Sequence, residues 1–577
     1  MAAPIPFVTV STTSGSTTGV APLGVFFDAT GTTDADTTNP FHDLLYVWNF
    51  GDNSSSTWSY GSNLSASKNL AFGAVVAHVY EQPGTYTWSM VCYDGTSAVL
   101  TTGTITVTNA NTVFSGTNTI AVSSTALPVA GVDGVPAGAS CQLQTSWATV
   151  CGYVASGKRV LLKAGDVWDV TAHGIIAGNV TAMLSSYGTE NNGRAIVRVN
   201  ASTPPSNGWI IQGSGNDWQD FRITSIEFDG NGQTTALVGT QGDAWLGFLA
   251  MNNYIHDIGD GWNQGIDSDV VIVCDETIET IIGGSGTHAF AVPGARVALL
   301  GSNLAHSEEA EHPVRIPGAA KVVISNNHIT DAPNESGPAG TKETVAIRSD
   351  QVDTPSLYVL VSQNYIDIRG YAGVTISSGA LEPLNQNIII DKNQIVSAAG
   401  ATGFQNNAQK VTVRNNIFDM TLASGPVFAR INDTSDGQNS ENVWVYNNTL
   451  YSSAVSGGAT GVLVEAGCLS ITVKNNLQYT PNVGGTNVFL SNAAGGQTTA
   501  SNNTGNTGAV TTDPAFDGPL STPTGYRIST SSYGANGGTA IYPPSNNDFF
   551  NADDVTANEH MGACVSRVRA SAKGVAS

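Results

Sequence analysis

The stretch KVVISNNHI, Lys321 to Ile329, has an alternating apolar segment, a pair of asparagines and then a polar-apolar pair. The same phrase recurs as AMNNYI, ALLGSNL, YVLVSQNYI, IIIDKNQI, KVTVRNNIF, VWVYNNTL and ITVKNNLQ, and a fainter ASNNT closes the series. The last asparagines fall at Asn253, Asn303, Asn327, Asn364, Asn393, Asn416, Asn448, Asn476 and Asn503, two to three dozen residues apart except for the first gap. That gap predicts an unmarked copy near Glu279. Val322 and Ile324, Val411 and Val413, Val443 and Val445, and Ile471 and Val473 keep the two-residue period of a strand, which disfavours helical and leucine-rich repeats. A strand of this kind cannot bury its apolar side alone, so the copies must stack around a shared interior as a solenoid. Asparagine suits the corner after each strand because it tolerates the left-handed backbone region. Stacked asparagines can also hydrogen-bond from coil to coil, so the pairs are read as structural corners.

A chain of 577 residues with 41% hydrophobic content exceeds one ordinary domain. Charged residues make up only 12%, and Gly, Ser, Thr and Asn dominate, as in an extracellular or virion-surface β protein. The net charge of -23, with only 22 Lys and Arg, argues against nucleic acid as a partner. Six cysteines (Cys92, Cys141, Cys151, Cys274, Cys468 and Cys564) include no CxxC pair, so neither a zinc site nor a dense disulfide framework is expected. The chain has no apolar run long enough for a membrane span. MAAPIPFVTVSTTSG lacks the features of a secretory signal, which suggests either a removed signal or release by lysis, as for virion components.

Residues 1–109 read as a separate unit marked by GVAPLGVFFDATGTTD, YVWNFGD, HVYEQPGTYTWSMVCYDG and a closing ITVT. These motifs resemble the PKD domain, and the resemblance implies an immunoglobulin-like β-sandwich with a spacer or contact role. Tyr86, Trp88 and Met90 read as its inward-facing strand. Residues 110–139 are expected to form a linker. SCQLQTSWATVCGYV is then expected to be one amphipathic helix, with Leu143, Trp147 and Val150 on a shared face. Followed by SGKRVLLKAGDVWDV, it resembles the entry to right-handed parallel β-helix proteins of the pectate-lyase-like superfamily, where such a helix caps the open end. The fold class expected is therefore all-β, a PKD-like sandwich plus a right-handed parallel β-helix over 140–510. TDPAF, GYRIS, GANGGTA and HMGAC resemble the tail segment of such proteins, which implies a C-terminal cap over 511–577.

Ionisable residues concentrate in HSEEAEHPVRIPGAAKVVISNNH and KETVAIRSD, which supply Glu308, Glu309, Glu311, His312, Arg315, Lys342, Glu343, Arg348 and Asp350. His288, and one coil earlier His256, Asp257, Asp260 and Asp267, extend this face. On a β-helix, outward side chains of neighbouring coils line up, a shape suited to a long glycan. β-Elimination on an acidic polysaccharide needs a cation or metal at the uronate carboxylate and a base for the C5 proton. Arg315, Lys342 and Arg348 can supply charge or base, His312 can shuttle a proton, and Glu309 with Glu311 can hold Ca²⁺. The segment is similar to β-helical alginate and chondroitin lyases, in which a glutamate pair precedes a basic residue and then an asparagine corner; here the basic residue is Arg315. Hydrolysis would instead use two carboxylates about 5 to 9.5 Å apart, such as Glu311 with Glu343 or Asp350. His288, Glu343 and Asp350 are further substrate contacts on this reading.

Among Trp209, Trp218, Trp245, Trp262 and Tyr371, Trp262 in DIGDGWNQG is the expected exposed stacking platform. The partners implied are a polysaccharide and, for a virion component, other virion proteins or further copies in a homotrimer. The rival from another class is a non-catalytic adhesin or receptor-binding spike.

Overall fold

In the computed structural model, the first residue of each corner pair is bent and the second is a rung. Asn252, Asp275, Gly301, Asn326, Gln363, Lys392, Asn415, Asn447, Asn475 and Asn502 all take left-handed φ values of 53–60°. The residues that follow form a buried ladder. Each asparagine Nδ2 donates to Oδ1 of the next, at 2.9 Å from Asn327 to Asn364 and from Asn364 to Asn393, and at 3.0 Å from Asn393 to Asn416 and from Asn416 to Asn448. It also donates to a carbonyl one coil back, as Asn393 does to Val361 at 2.9 Å. Each rung therefore satisfies polar groups that the turn would otherwise strand away from water.

Two rungs depart from asparagine. In ALLGSNL the rung is Ser302, one residue before the expected Asn303, which instead pairs with Thr277 and His328 within the next sheet. The unmarked copy does exist, as strand Thr277–Ile281, and its rung is Glu276.

The structure describes residues 2–503 apart from 64–65, 179–180, 240–242, 266–267, 283–286, 308–311, 331–342, 350–354, 379–383, 398–401, 422–424, 433–438, 454–457 and 482–486, and beyond these Pro514, Phe516, Leu520 and Tyr526. Around the ladder, each coil contributes parallel strands to sheets that run the length of a parallel β-helix. Among the described residues, sheet A has 15 strands, from Thr119–Ser123 and Ser140–Leu143 to Thr498–Ser501; sheet B has 14, from Val167–Val170 to Leu477–Tyr479; sheet C has 9, from Trp262–Asn263 to Val488–Asn492. Inward side chains such as Val322, Ile324, Val345, Ile347, Val411 and Val413 merge into one continuous interior cluster.

Two local expectations change. Thr119–Ser123, within the segment read as linker, pairs with Arg159–Lys163 and joins sheet A. The helix spans only Trp147–Cys151, capped by Ser146. Leu143 lies outside it on a strand and is 53% exposed, whereas Trp147 and Val150 are buried in the solenoid interior. The five cysteines in the described part of the chain are all free thiols.

The N-terminal residues form two packed sheets. Thr9–Thr12, Leu23–Asp28 and Val75–Tyr80 make one; Thr18–Val20, Ala98–Thr108, Gly84–Tyr93, Leu45–Asn49 and Leu70–Phe72 make the other. Phe27, Trp48 and Trp88 meet at 5.4–5.9 Å in the core, with Tyr86 and Met90 also buried. The buried Asp52 carboxylate of WNFGD lies 3.1 Å from Nε2 of His78, so these two motifs close on each other.

This sandwich is cemented to the outer face of sheet A. The outward row Leu249, Ile272, Ala298, Val323, Leu360 and Ile389 is buried in the same cluster as the sandwich residues Val25, Phe26, Val76 and Val79. Polar contacts ring the patch. Arg222, fully buried, donates to the Pro22 carbonyl at 2.8 Å, Ser62 donates to the Lys392 carbonyl at 2.8 Å, and Lys321 pairs with Asp28. Glycines allow the close approach: at Gly247, φ is +94°, and an added Cβ would sit 2.0 Å from the Thr13 carbonyl oxygen. Continuous apolar strands such as LGFLAM and VVIVC thus have both faces covered, one by the interior and one by the sandwich.

Candidate functional site

Among the described residues, the outer face of sheet B is covered along the later coils and uncovered along the earlier ones. Tyr526 donates to Asp419 Oδ2 at 2.6 Å and packs with Phe516 and Leu520 against Tyr451, so the described tail residues lie along the side of the later coils. On the earlier coils, register aligns Asp169, Arg198, Asp229, His256 and Glu279 in one outward row, one side chain per coil. Strand alternation sets Glu227, Tyr254 and Thr277 in the parallel row beside it.

His256 is the hub of this patch. Its Nδ1 lies 2.8 Å from Asp257 and 4.0 Å from Asp229, its Nε2 lies 3.4 Å from Glu227, and its ring stacks on Tyr254 at 4.4 Å. Burial disfavours the imidazolium, but hydrogen bonds to Glu227 and Asp257 and the charge of Asp229 carry its pKa up to about 9. His256 is therefore held as a cation at neutral pH, with both ring nitrogens turned to carboxylates. The same hydrogen bond to His256 is the main cause that holds Glu227 below the usual glutamate range.

Among the described residues, Asp229, His256 and Asp257 also form a group whose ligand atoms lie within 4.8 Å of one another. The set does not fit Ca²⁺, which takes oxygen ligands, because its central member is an imidazolium committed to its neighbours. The Ca²⁺ pair expected at Glu309 and Glu311 lies outside the described residues, as do the catalytic candidate Lys342 and the substrate contact Asp350.

Other expected site residues come together at the start of sheet C. Pairing of Trp262 with Phe290, Phe290 with Val314, and Val314 with Val345 puts Asp260, His288, His312 and Glu343 in one column, two residues before each paired position. The rings of His288 and His312 stack 5.9 Å apart at 7°. His288 Nδ1 meets the His312 carbonyl at 3.0 Å, His312 Nδ1 lies 3.1 Å from Glu343 Oε2, and Arg348 bonds Glu343 at 3.0 Å. Burial alone would raise the Glu343 pKa, yet His312 and Arg348 hold it below the usual range. Burial of Asp260 pushes its carboxyl up to about 6. His288 and His312 are only 2% and 0% exposed, so as described the column is an internal hydrogen-bonded stack, with the half-buried Arg315 and Arg348 nearer the surface.

Trp262 is not an exposed platform. It is fully buried and its indole N–H donates to Glu276 at 3.0 Å. Trp218 and Trp245 are interior too, stacked at 6.0 Å, while Trp209 and Tyr371 are half-buried. Glu227 and Asp229 were missed in the sequence because they sit in a strand, IEFDG, that carries no asparagine corner; only the strand alternation that puts Glu227 and Asp229 on one face offered a signal.

Fold and face together define a parallel β-helix with a laterally docked β-sandwich and a strip of ionisable side chains along sheet B. Residues 275–450, under a third of the chain, match the family model described as right handed beta helix region. No curated protein matches. Among solved structures, pectate lyase Pel9A is similar at 13% identity and a TM-score of 0.41, covering 78% of this chain and 96% of that one. PfbA, a surface adhesin of Streptococcus pneumoniae, gives 12% and 0.37 over 61% and 87%, and a PL6 alginate lyase complexed with a trisaccharide gives 11% and 0.28 over 68% and 90%. Likenesses at this level transfer neither a residue role nor an activity. Among the described residues, no helix is long and apolar enough to cross a membrane.

Proposed function

We propose that the chain engages a polysaccharide outside cells, as a virion-surface component or a secreted protein, and depolymerises an acidic glycan by β-elimination. The supporting observation is the row of ionisable side chains on sheet B, Asp169, Arg198, Asp229, His256 and Glu279, which a linear polymer laid across the coils would meet in turn, with the proposed reacting groups on the adjoining sheet C. In β-elimination a base takes the C5 proton, the C4–O4 bond breaks as the C4–C5 double bond forms, and the leaving oxygen takes a proton. Arg315 and Arg348 are proposed to offset the uronate charge, Lys342 to act as base, and His312, itself fully buried, to shuttle the proton by way of Glu343. Glu311 is proposed to belong to the same catalytic cluster. Residues 1–109 are read as a PKD module with a contact role, and assembly as a homotrimer or with other virion proteins belongs to the virion form of the proposal.

Incubation with polygalacturonate and alginate, following both the absorbance of unsaturated product and reducing-end release, tests it. A lyase raises both signals, and a hydrolase raises only the second. Arg315→Ala is expected to abolish turnover while the melting temperature holds; unchanged turnover removes Arg315 from the mechanism.

The burial of His288, His312 and Glu343 favours a second reading, a non-catalytic adhesin or receptor-binding spike in which that column is purely structural. Glycan retention with no product in either assay would establish it.

A further inference from the structure

The docked sandwich and the solenoid do not meet flush along their whole border. At the corner between sheets A and B they leave a cleft of about 360 Å³, within the range of roughly 300–1,000 Å³ common for ligand sites, which favour domain interfaces. Ser59, Tyr60, Lys68 and Glu81 line it from the sandwich; Arg194, Asp275 and Thr277 line it from the solenoid.

Its electrostatics are uneven. Lys68 is already committed, at 2.6 Å to Asp275 and 3.6 Å to Glu81, with its ammonium 5.2 Å from the Trp58 ring. Arg194 is differently placed. Its Nε and Nη2 donate to the carbonyl and Oδ1 of Asn252, at 3.0 and 2.8 Å, which fixes the plane of the guanidinium. Its Nη1 makes no hydrogen bond to any described residue, although its charge also acts on Glu227 and Glu276. In a chain of net charge -23, this is a pre-oriented cation with donors to spare, and a planar carboxylate is the anion that a guanidinium edge fits best. The half-buried Tyr60 ring offers an apolar surface, and the Ser59 and Thr277 hydroxyls offer hydrogen bonds. Thr277 continues the row of Glu227 and Tyr254, so the cleft opens onto the strip around His256.

We propose that this interdomain cleft is a binding subsite for a carboxylated sugar unit, with the carboxylate on Arg194 and the ring against Tyr60, and that the sandwich clamps the glycan onto sheet B. It rests on the polysaccharide reading above and not on catalysis. One domain then supplies the stacking wall and the other the cation, and neither binds alone.

The full-length chain is titrated calorimetrically with hexagalacturonate and a hexameric oligoalginate, with cellohexaose as the neutral control. At least one acidic hexamer is expected to bind and cellohexaose to bind at least tenfold more weakly. Arg194→Met and Tyr60→Ala should each weaken binding about tenfold or more. Ser59→Trp, an exposed position on the opposite wall, should block the cleft while leaving the hydrogen bonds of Arg194 to Asn252 in place. No binding by either acid, equal binding of cellohexaose, or wild-type affinity in a correctly melting Ser59→Trp variant would overturn the subsite. Binding lost in these variants by a protein that never releases product leaves the subsite standing and removes the depolymerase; cleavage with unaltered binding does the reverse.

Discussion

Glu276 accepts the indole N–H of Trp262 at 3.0 Å while its other oxygen takes the backbone and side-chain N–H groups of Asn253, at 3.1 and 2.8 Å. A fully buried carboxyl thus occupies a rung that asparagine fills elsewhere, and it holds a tryptophan inside the solenoid.

Burial pushes Glu276 up to about 7, against these three donors, which favour the carboxylate. The folded state therefore binds more protons than the unfolded one between the ordinary glutamate value and 7. Stability should fall as pH rises through that window, by on the order of 3 kcal/mol, and level off above it. Glu276→Gln should remove this slope and, by setting an amide N–H₂ against the indole N–H, lower the melting temperature. Melts of the two proteins from pH 4 to 8 give the difference curve; parallel curves would contradict the assignment.

The ladder should be least tolerant in its middle. Asn393 takes two N–H groups of Asn364 on its Oδ1 and gives its own to Val361 and Asn416. Asn393→Ala strands all of these in a buried corner and should cost about 2–4 kcal/mol in denaturant unfolding. Asn393→Ser should cost less, because Ser302 serves as a rung in the same fold.

His256 should remain protonated well past neutrality. An NMR titration of its Cε1–H should give a midpoint near 9, and Asp257→Asn should lower it by removing one of the hydrogen-bonding carboxylates. Its contribution to stability should be complete below the unfolded histidine value and lost as pH rises through 9. A midpoint at the unperturbed histidine value would show that the carboxylates do not hold it.

Docking of the sandwich should depend on Gly247. Gly247→Ala would drive a Cβ into the Thr13 carbonyl from a left-handed backbone, at a cost of about 1–3 kcal/mol. Small-angle scattering should then report a larger radius of gyration; an unchanged radius would mean that the interface absorbs the methyl.

The solenoid was legible because its information is local. A two-residue apolar period makes a strand wherever it occurs, and Asn326–Asn327 carries both the left-handed bend and the rung, so each copy specifies its own coil. The slip at Asn303 arose because Gly301 took the bend and Ser302 the rung, without an asparagine pair to mark them. Docking also left a trace: the strands around Leu249, Ile272 and Leu360 are apolar on both faces, whereas the later VTVR and ITVK alternate. That pattern says that something covers sheet A, not what covers it.

The sequence alone determined the strands, the corners, the stacking and the two motif-bearing units. Only the tertiary structure decided which side chains of distant coils share a face. It sent Trp262 inward because a carboxyl from the next corner, Glu276, meets its N–H. It set His256 among Glu227, Asp229 and Asp257, and it left a cleft between Tyr60 and Arg194. Such contacts depend on inter-coil register and on a rigid-body fit between surfaces hundreds of residues apart, and no local period encodes either.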